Sequence, residues 1–150
     1  MSRFRVRLFD ASRNDGFMMI SDRLFVYGTL MRGYVHPMAK LLSANADFLG
    51  PARCRGRLYL VKHYPGLVLS DDASEIVHGE LYRLREVEPM LREFDMYEAC
   101  GEGFAEPTQY VRQMFSVTLE DGSESEAWTY LYNWPVAKLT RIESGRFRQT

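Results

Sequence analysis

The glycine turn, residues 27–33 (YGTLMRG), is the first segment whose residue types could do chemistry. A strand-forming run leads into Tyr27, and Gly28, Thr29 and Gly33 follow. Backbone N–H groups in such a turn lack sheet partners, so they can point toward a carboxylate or a developing oxyanion. Because Gly28 has no Cβ, a ligand can approach the main chain closely there. A tight turn without any binding role is the alternative interpretation.

Glu98 is the second candidate, and it lies at the end of the clearest predicted helix, residues 86–97. Helical spacing gives this helix one apolar stripe, formed by Val87, Met90, Leu91, Phe94 and Tyr97. Glu98 flanks the stripe, one turn beyond Phe94. Partial burial and the negative end of the helix dipole both raise the pKa of a carboxyl there. Such a carboxyl can accept and return a proton near neutral pH. A solvated glutamate at a helix end is the alternative.

Other reactive side chains form no comparable pattern. His36, His63 and His78 lack the spacing of a metal site. Cys54 and Cys100 form neither a disulfide framework nor a metal motif, and no base is predicted beside Cys100. No serine has a G-x-S-x-G context, and no glycine-rich nucleotide-binding motif is present. We therefore expect a site without a metal or a cofactor.

The composition is that of one soluble domain. The 150 residues are 46% hydrophobic and 26% charged, with a formal net charge of −1. This balance gives no field that would recruit nucleic acid or a membrane surface, and the apolar runs are far short of a bilayer span. Two distant cysteines fit a reducing cytoplasm. Residues 1–19 are predicted to be a peripheral or disordered extension of a domain formed by residues 20–150.

The elements around the two candidates are mainly strands. Strands are expected at residues 23–29, 48–61, 67–69, 75–84, 109–119 and 124–132, with helices at residues 38–46 and 86–97. Gly50 and Gly56 mark bends in the long strand, Asp121-Gly122 marks a hairpin, and residues 136–142 are typical of a short helix or strand. The order predicts an α+β fold, in which a mainly antiparallel sheet curls into a small barrel with helices outside.

Several segments together resemble the γ-glutamylcyclotransferase-like superfamily, which includes the AIG2-like and γ-glutamylamine cyclotransferase proteins. Residues 25–33 resemble its YG(S/T)L…G signature, and residues 94–98 (FDMYE) resemble the D-x-x-E helix end that carries the family's catalytic glutamate. The other similar segments are residues 64–68 (YPGLV), 77–82 (VHGELY), 110–112 (YVR) and 127–130 (AWTY). The resemblance extends over about residues 23–132.

The resemblance implies a small mixed barrel with a cavity. It also implies an enzyme that converts a small-molecule γ-glutamyl amine or amide to 5-oxoproline and a free amine. Glu98 is then the catalytic acid/base, and the N–H groups of Gly28, Thr29 and Leu30 bind a carboxylate or carbonyl oxygen of the substrate. Further substrate-binding residues are expected at Tyr27, Tyr110 and Arg112. The amine half of the substrate and the oligomeric state stay open.

Two other functions are compatible with the sequence. A non-catalytic small-molecule binding protein on the same fold would need the glycine turn but not Glu98. A small barrel that binds nucleic acid through the arginines near its start is disfavoured by the near-neutral charge. One residue departs from the family pattern: many members have Gly after the catalytic Glu, whereas Ala99 follows Glu98 here. We therefore expect the turn after Glu98 to differ.

Overall fold

The computed structural model describes residues 21–99 and 103–148. The predicted extension at residues 1–19 and Cys100 lie outside the described residues. The elements, in chain order, are β1 (Arg23–Val26), α1 (Pro37–Asn45), β2 (Ala46–Leu60), β3 (Pro65–Leu69), β4 (Ile76–Leu84), α2 (Val87–Tyr97), β5 (Tyr110–Leu119), β6 (Glu124–Tyr132) and β7 (Thr140–Arg141). The segment left open between helix and strand at residues 136–142 therefore contributes a short strand.

Five strands close into a mixed barrel in the order β2-β4-β1-β6-β5, and β5 pairs back onto β2 at Ala52 and Arg53. The pairs are antiparallel except for β1 and β6, which run parallel with Leu24 opposite Trp128. β3 and β7 pair with the end of β2, outside the ring. The α+β barrel predicted from the sequence is confirmed.

The long strand β2 bends because its pairing register with β4 shifts between Phe48 and Gly50. Gly50 has a φ of +130°, a conformation that side chains rarely adopt, so the bend falls at the predicted glycine. β2 pairs with β4 from Ala46 to Arg55, on both sides of this bend, and with β3 along its last five residues. The hairpin predicted at Asp121-Gly122 also forms, with Gly122 at φ +89°.

Side chains of β1 alternate between two apolar cores. Leu24 and Val26 point toward the helices, into a helix-side core that also contains Trp128. Phe25 and Tyr27 point into a barrel core. This period of two is what a strand covered on both faces requires. The end of β1 thus reaches both cores, and it places the glycine turn between the barrel and the helices.

Helix α2 buries most of its predicted stripe in the helix-side core. Met90, Leu91 and Phe94 are buried there, and Phe94 has no exposed surface. Tyr97, which the stripe included, is instead 44% exposed. The helix therefore packs firmly through its middle, and its last turn extends beyond the core. No helix among residues 21–99 and 103–148 is long and apolar enough to cross a membrane.

Candidate active site

A cavity of about 260 Å³ opens where the end of β1 meets the end of α2. Its lining combines the glycine turn, the turn between β2 and β3, the C-terminal end of α2, the start of β5 and the end of β6. The lining residues are Phe25, Val26, Tyr27, Gly28, Thr29, Leu30, His63, Tyr64, Pro65, Tyr97, Glu98, Ala99, Gln109, Tyr110 and Tyr130. Both candidates from the sequence, Glu98 and the glycine turn, therefore face one cavity.

Glu98 is the C-cap residue directly after helix α2, and its backbone N–H donates to the carbonyl oxygen of Phe94 at 2.8 Å. Burial of the carboxyl, and secondarily the charge of Asp95, raise the pKa of Glu98 from 4.5 to about 7. Within the described residues the carboxyl has no hydrogen-bond partner. A carboxyl with this pKa and no partner can exchange a proton with a molecule in the cavity.

The glycine turn presents main-chain donors to the same cavity. The N–H of Met31 donates to the carbonyl oxygen of Gly28 at 3.0 Å, which closes a tight turn. Among the residues that the structure describes, the N–H groups of Gly28, Thr29 and Leu30 have no acceptor. Three adjacent unpaired donors form a concavity suited to an anionic oxygen.

Gly28 is required by a close contact rather than by its backbone angles. A Cβ at this position would lie 2.8 Å from both Cδ and Cγ of Pro65. Pro65 begins β3 in the YPGLV segment, so the two sequence segments that resemble the family pack directly against each other. The position of the glycine turn is therefore set by the turn between β2 and β3.

Tyr27 and Tyr110 line the cavity with hydroxyl groups that are already engaged. The hydroxyl of Tyr27 donates to the carbonyl oxygen of Tyr130 at 2.6 Å and accepts from the N–H of Leu67 at 3.2 Å. The hydroxyl of Tyr110 donates to the carbonyl oxygen of Pro65 at 2.7 Å. Burial raises the pKa of both phenols. Their rings shape the wall, and their hydroxyl groups hold the surrounding backbone.

Arg112, which the sequence predicted to be a substrate-binding residue, is not part of the cavity lining. Its guanidinium forms two hydrogen bonds with the carboxylate of Asp95, at 2.8 and 3.0 Å, and lies 4.5 Å from the ring centroid of Trp128. The hydroxyl of Tyr130 donates to the same carboxylate at 2.6 Å. Arg112 thus fixes the helix end that carries Glu98, because Asp95 lies one turn before it.

Sequence reasoning missed several lining residues. Tyr97 was assigned to the core because its spacing continues the stripe, although the helix leaves the core before that position. Tyr64 and Gln109 lie in connections between strands, where periodicity carries no information. The YPGLV segment around Tyr64 was the available signal. Asp95, which lies outside the lining, belongs to the FDMYE segment that the sequence analysis singled out; its contacts with Arg112 and Tyr130 were not predicted.

The described residues contain no group of three or more His, Cys, Asp or Glu placed to hold a metal. Cys54 is buried in the barrel core, where burial raises the pKa of its thiol to about 12. A thiol with that pKa is protonated at neutral pH and is a poor nucleophile. The carboxyl of Glu98 and the donors of the glycine turn are the groups that carry the chemistry proposed below.

A protein-family model described as "Gamma-glutamyl cyclotransferase, AIG2-like" matches residues 24–149 of the chain. The chain belongs to this family. The family protein YtfP of Escherichia coli K12, named a gamma-glutamylcyclotransferase family protein, is 35% identical over 126 residues, which cover 82% of this chain and 93% of the relative. The protein of the same name from Citrobacter rodentium is 35% identical over 128 residues, covering 83% of this chain and 94% of that protein.

Solved structures of the AIG2-like family share the fold. The crystal structure of a mouse AIG2-like protein has a TM-score of 0.66 and 25% sequence identity, covering 87% of this chain and 90% of the mouse chain. The solution structure of E. coli YtfP has a TM-score of 0.56 and 34% identity, covering 83% and 95% of the two chains. The family membership thus accounts for the barrel and supports a gamma-glutamylcyclotransferase-like activity.

Proposed function

We propose that this protein cyclises a small γ-glutamyl amine or amide and releases 5-oxoproline and a free amine, with Glu98 as general acid/base. The observation that carries the proposal is the shared cavity, whose lining includes both Glu98 and the glycine-turn residues Gly28, Thr29 and Leu30. Family membership supports the same reaction class.

The reaction asks little of the protein because nucleophile and electrophile belong to one molecule. The α-amino nitrogen of the substrate attacks its own γ-carbonyl carbon and forms a five-membered ring. Well-oriented intramolecular attack reaches effective molarities on the order of 10⁵ M or more. The protein must fold the substrate and assist proton transfer from the α-nitrogen to the leaving nitrogen.

Glu98 supplies that proton transfer. Its carboxylate takes a proton from the α-ammonium group, which frees the nitrogen lone pair for attack. When the tetrahedral intermediate collapses, the bond from the γ-carbon to the leaving nitrogen breaks and Glu98 returns the proton to that nitrogen. The ring nitrogen loses a second proton and keeps the one hydrogen of the lactam; this second proton passes to the released amine, which departs as an ammonium ion. No water is consumed, and the carboxylate is regenerated. A pKa of about 7 suits both directions of transfer near neutral pH.

The glycine turn supplies the stabilisation of negative charge. Its unpaired N–H groups would bind the α-carboxylate or the oxygen of the γ-carbonyl, on which charge develops during attack. Within the described residues, neither lysine nor arginine lines the cavity. A second carboxylate on the amine half would therefore meet no fixed cation, and we expect γ-glutamylalkylamines to react better than γ-glutamyl amino acids.

The direct test is a panel of γ-glutamyl compounds with neutral, cationic and anionic amine halves, assayed for 5-oxoproline. Glu98→Gln should reduce turnover at least a hundredfold, because general acid/base catalysis is worth about 10² to 10⁴ in rate. Glu93→Gln, on an exposed position of the same helix, is the matched control and should retain activity. Full turnover by the Glu98→Gln protein would remove the proposed mechanism. Ligand binding without turnover by the wild type would instead support the binding-protein alternative.

A further inference from the structure

His36 and Tyr97 meet across the mouth of the cavity. The hydroxyl oxygen of Tyr97 lies 2.7 Å from Nε2 of His36, and their rings pack edge to face with centroids 5.1 Å apart. His36 ends the segment that begins at the glycine turn, and Tyr97 immediately precedes Glu98. This contact, the His36–Tyr97 clasp, therefore joins the two parts of the proposed site.

The direction of the hydrogen bond in the clasp follows from the other ring nitrogen. His36 is the N-cap of α1, where Nδ1 accepts a hydrogen bond from the N–H of Met38 at 3.1 Å. A ring nitrogen that accepts carries no proton, so the neutral imidazole has its hydrogen on Nε2. Nε2–H must then donate to the phenol oxygen of Tyr97. The Tyr97 hydroxyl therefore accepts in this contact and does not donate its own hydrogen to His36.

That hydrogen is available on the cavity side. Tyr97 lines the cavity while the residue remains 44% exposed, so it stands at the mouth. Burial and the nearby charge of Glu98 raise the pKa of the phenol, whereas a hydrogen bond with the side chain of Thr29 opposes this rise, as expected if Thr29 donates to the phenol oxygen. A hydroxyl rotates to suit its partners. The phenol can therefore turn its proton to an oxygen of a bound molecule.

The proposed substrate needs such a donor. It presents two acceptors, the α-carboxylate and the γ-carbonyl oxygen, and the glycine turn is matched to one of them. Three other tyrosine hydroxyl groups of the lining already donate to protein oxygens, those of Tyr27, Tyr110 and Tyr130. The Tyr97 hydroxyl stands beside Glu98 with its hydrogen uncommitted to the clasp.

We propose that Tyr97 is a substrate-binding residue that donates a hydrogen bond to an acceptor oxygen of the γ-glutamyl compound, and that His36 is the residue that positions it. The inference rests on the proposed function for the identity of the ligand. It extends that function by assigning the second acceptor of the substrate to a side chain at the mouth. His36 then has two roles, in capping α1 and in orienting the phenol.

Two substitutions separate these roles. Tyr97→Phe removes the donor and leaves the cap and the ring, whereas His36→Asn keeps an N-cap side chain but is too short to reach Tyr97. We expect each variant to raise KM for the preferred γ-glutamyl compound about tenfold, which matches the roughly 1.4 kcal/mol of one lost hydrogen bond. Because one bond is lost in both cases, the double variant should be no worse than either single variant.

Tyr34→Phe is the matched control. It removes a tyrosine hydroxyl from the same segment, one that donates to the carbonyl oxygen of Phe147 and is not part of the cavity lining. We expect its KM to be unchanged. Equal KM values for the wild type, Tyr97→Phe and His36→Asn would overturn the inference while the proposed function stands. A wild type that forms no 5-oxoproline from the whole panel would overturn the proposed function and, with it, the binding role of Tyr97.

A measurement on the resting protein tests the clasp without any activity. Nitrogen-15 NMR of the labelled full chain distinguishes the two neutral tautomers of His36. We expect the Nε2–H form at pH 8, and a changed Nε2 shift in Tyr97→Phe. The Nδ1–H form would overturn the inference whatever the assay shows.

Discussion

Asp95 lies one helical turn before Glu98, and its carboxylate raises the pKa of the Glu98 carboxyl beyond what burial alone achieves. Asp95 is itself held by Arg112 and Tyr130. The charge of Asp95 therefore influences the pKa of Glu98, which lies one turn further along the same face of the helix. Arg112 belongs to this coupling although it lies outside the cavity lining.

Asp95→Asn and Arg112→Gln should move the pH profile of kcat/KM in opposite directions. In the proposed mechanism Glu98 acts first as a base, so activity should rise with pH through its pKa. Removing the negative charge at Asp95 lowers that pKa and shifts the acid limb to lower pH. Removing Arg112 leaves the Asp95 charge less compensated and shifts the limb to higher pH. Rate measurements between pH 5 and 9 check both signs, with Asp71→Asn, an exposed carboxylate, as the control. Shifts in one common direction would contradict the assignment.

Glu98→Gln should make the protein more stable at alkaline pH. The pKa of Glu98 is about 7 in the folded chain against 4.5 for the free side chain, so the folded state binds more protons between these values. Its stabilising contribution is complete below pH 4.5 and is lost as the pH rises through 7. The pKa difference corresponds to at most about 3 kcal/mol, because partial exposure screens the carboxylate.

Urea unfolding at pH 5 and pH 8 measures this effect. The free energy of unfolding of Glu98→Gln should exceed that of the wild type at pH 8 and approach it at pH 5. Glu93→Gln should follow the wild type at both pH values, since Glu93 is exposed. A wild type that gains stability from pH 5 to pH 8 relative to Glu98→Gln would show the opposite sign and refute the burial of this carboxyl.

Gly28→Ala should damage the site through Pro65. The added Cβ would lie 2.8 Å from two ring carbons, so the turn or the proline must move. We expect a loss of about 1 to 3 kcal/mol in the free energy of unfolding, as in other overpacked sites, together with at least a tenfold fall in kcat/KM.

Gly33→Ala is the control for that variant. Gly33 has a φ of +92°, so alanine there is strained, but its Cβ would meet no atom within 4 Å. It should lose stability by about 1 to 2 kcal/mol and keep its kcat/KM once folded. Equal activity losses in the two variants would show that Pro65 is not the cause.

Ala99→Gly should stabilise the turn after Glu98. Ala99 has a φ of +54°, in the left-handed region that favours glycine. Relief of the Cβ strain is worth roughly 1 to 2 kcal/mol, and the added freedom of the unfolded chain removes about 0.5 to 1 kcal/mol. Thermal unfolding should show a net gain of up to about 1 kcal/mol. Ala73→Gly, on an exposed loop without a left-handed φ, should give no gain.

The sequence allowed both catalytic candidates to be found because each has a local signature. Gly28 ends a strand-forming run, and Glu98 flanks an apolar stripe, so their types and settings could be read from neighbouring residues. The burial of Met90, Leu91 and Phe94 followed from the same periodicity. The barrel itself was predicted from strand order, although its closure through Ala52 and Leu119 depends on a pairing distant in sequence.

Other features of the site depend on contacts that no local pattern encodes. Arg112 was expected in the cavity, but its strand position brings it to Asp95, and its role follows from a partner 17 residues away. Tyr97 continues the stripe in spacing, yet the core ends at Phe94. His36 shows only a helix start in the sequence, and its contact with Tyr97 joins residues 61 positions apart.

The seating of Pro65 against Gly28 has a consequence for how this cavity could change during evolution. The glycine turn packs at Gly28 against the first residue of β3, whereas His63 and Tyr64, just upstream, occupy the connection from β2. Insertions or substitutions in that connection could change the cavity wall at His63 and Tyr64 without moving the glycine turn. The part of the cavity expected to contact the leaving amine can therefore vary independently of the groups proposed to close the ring.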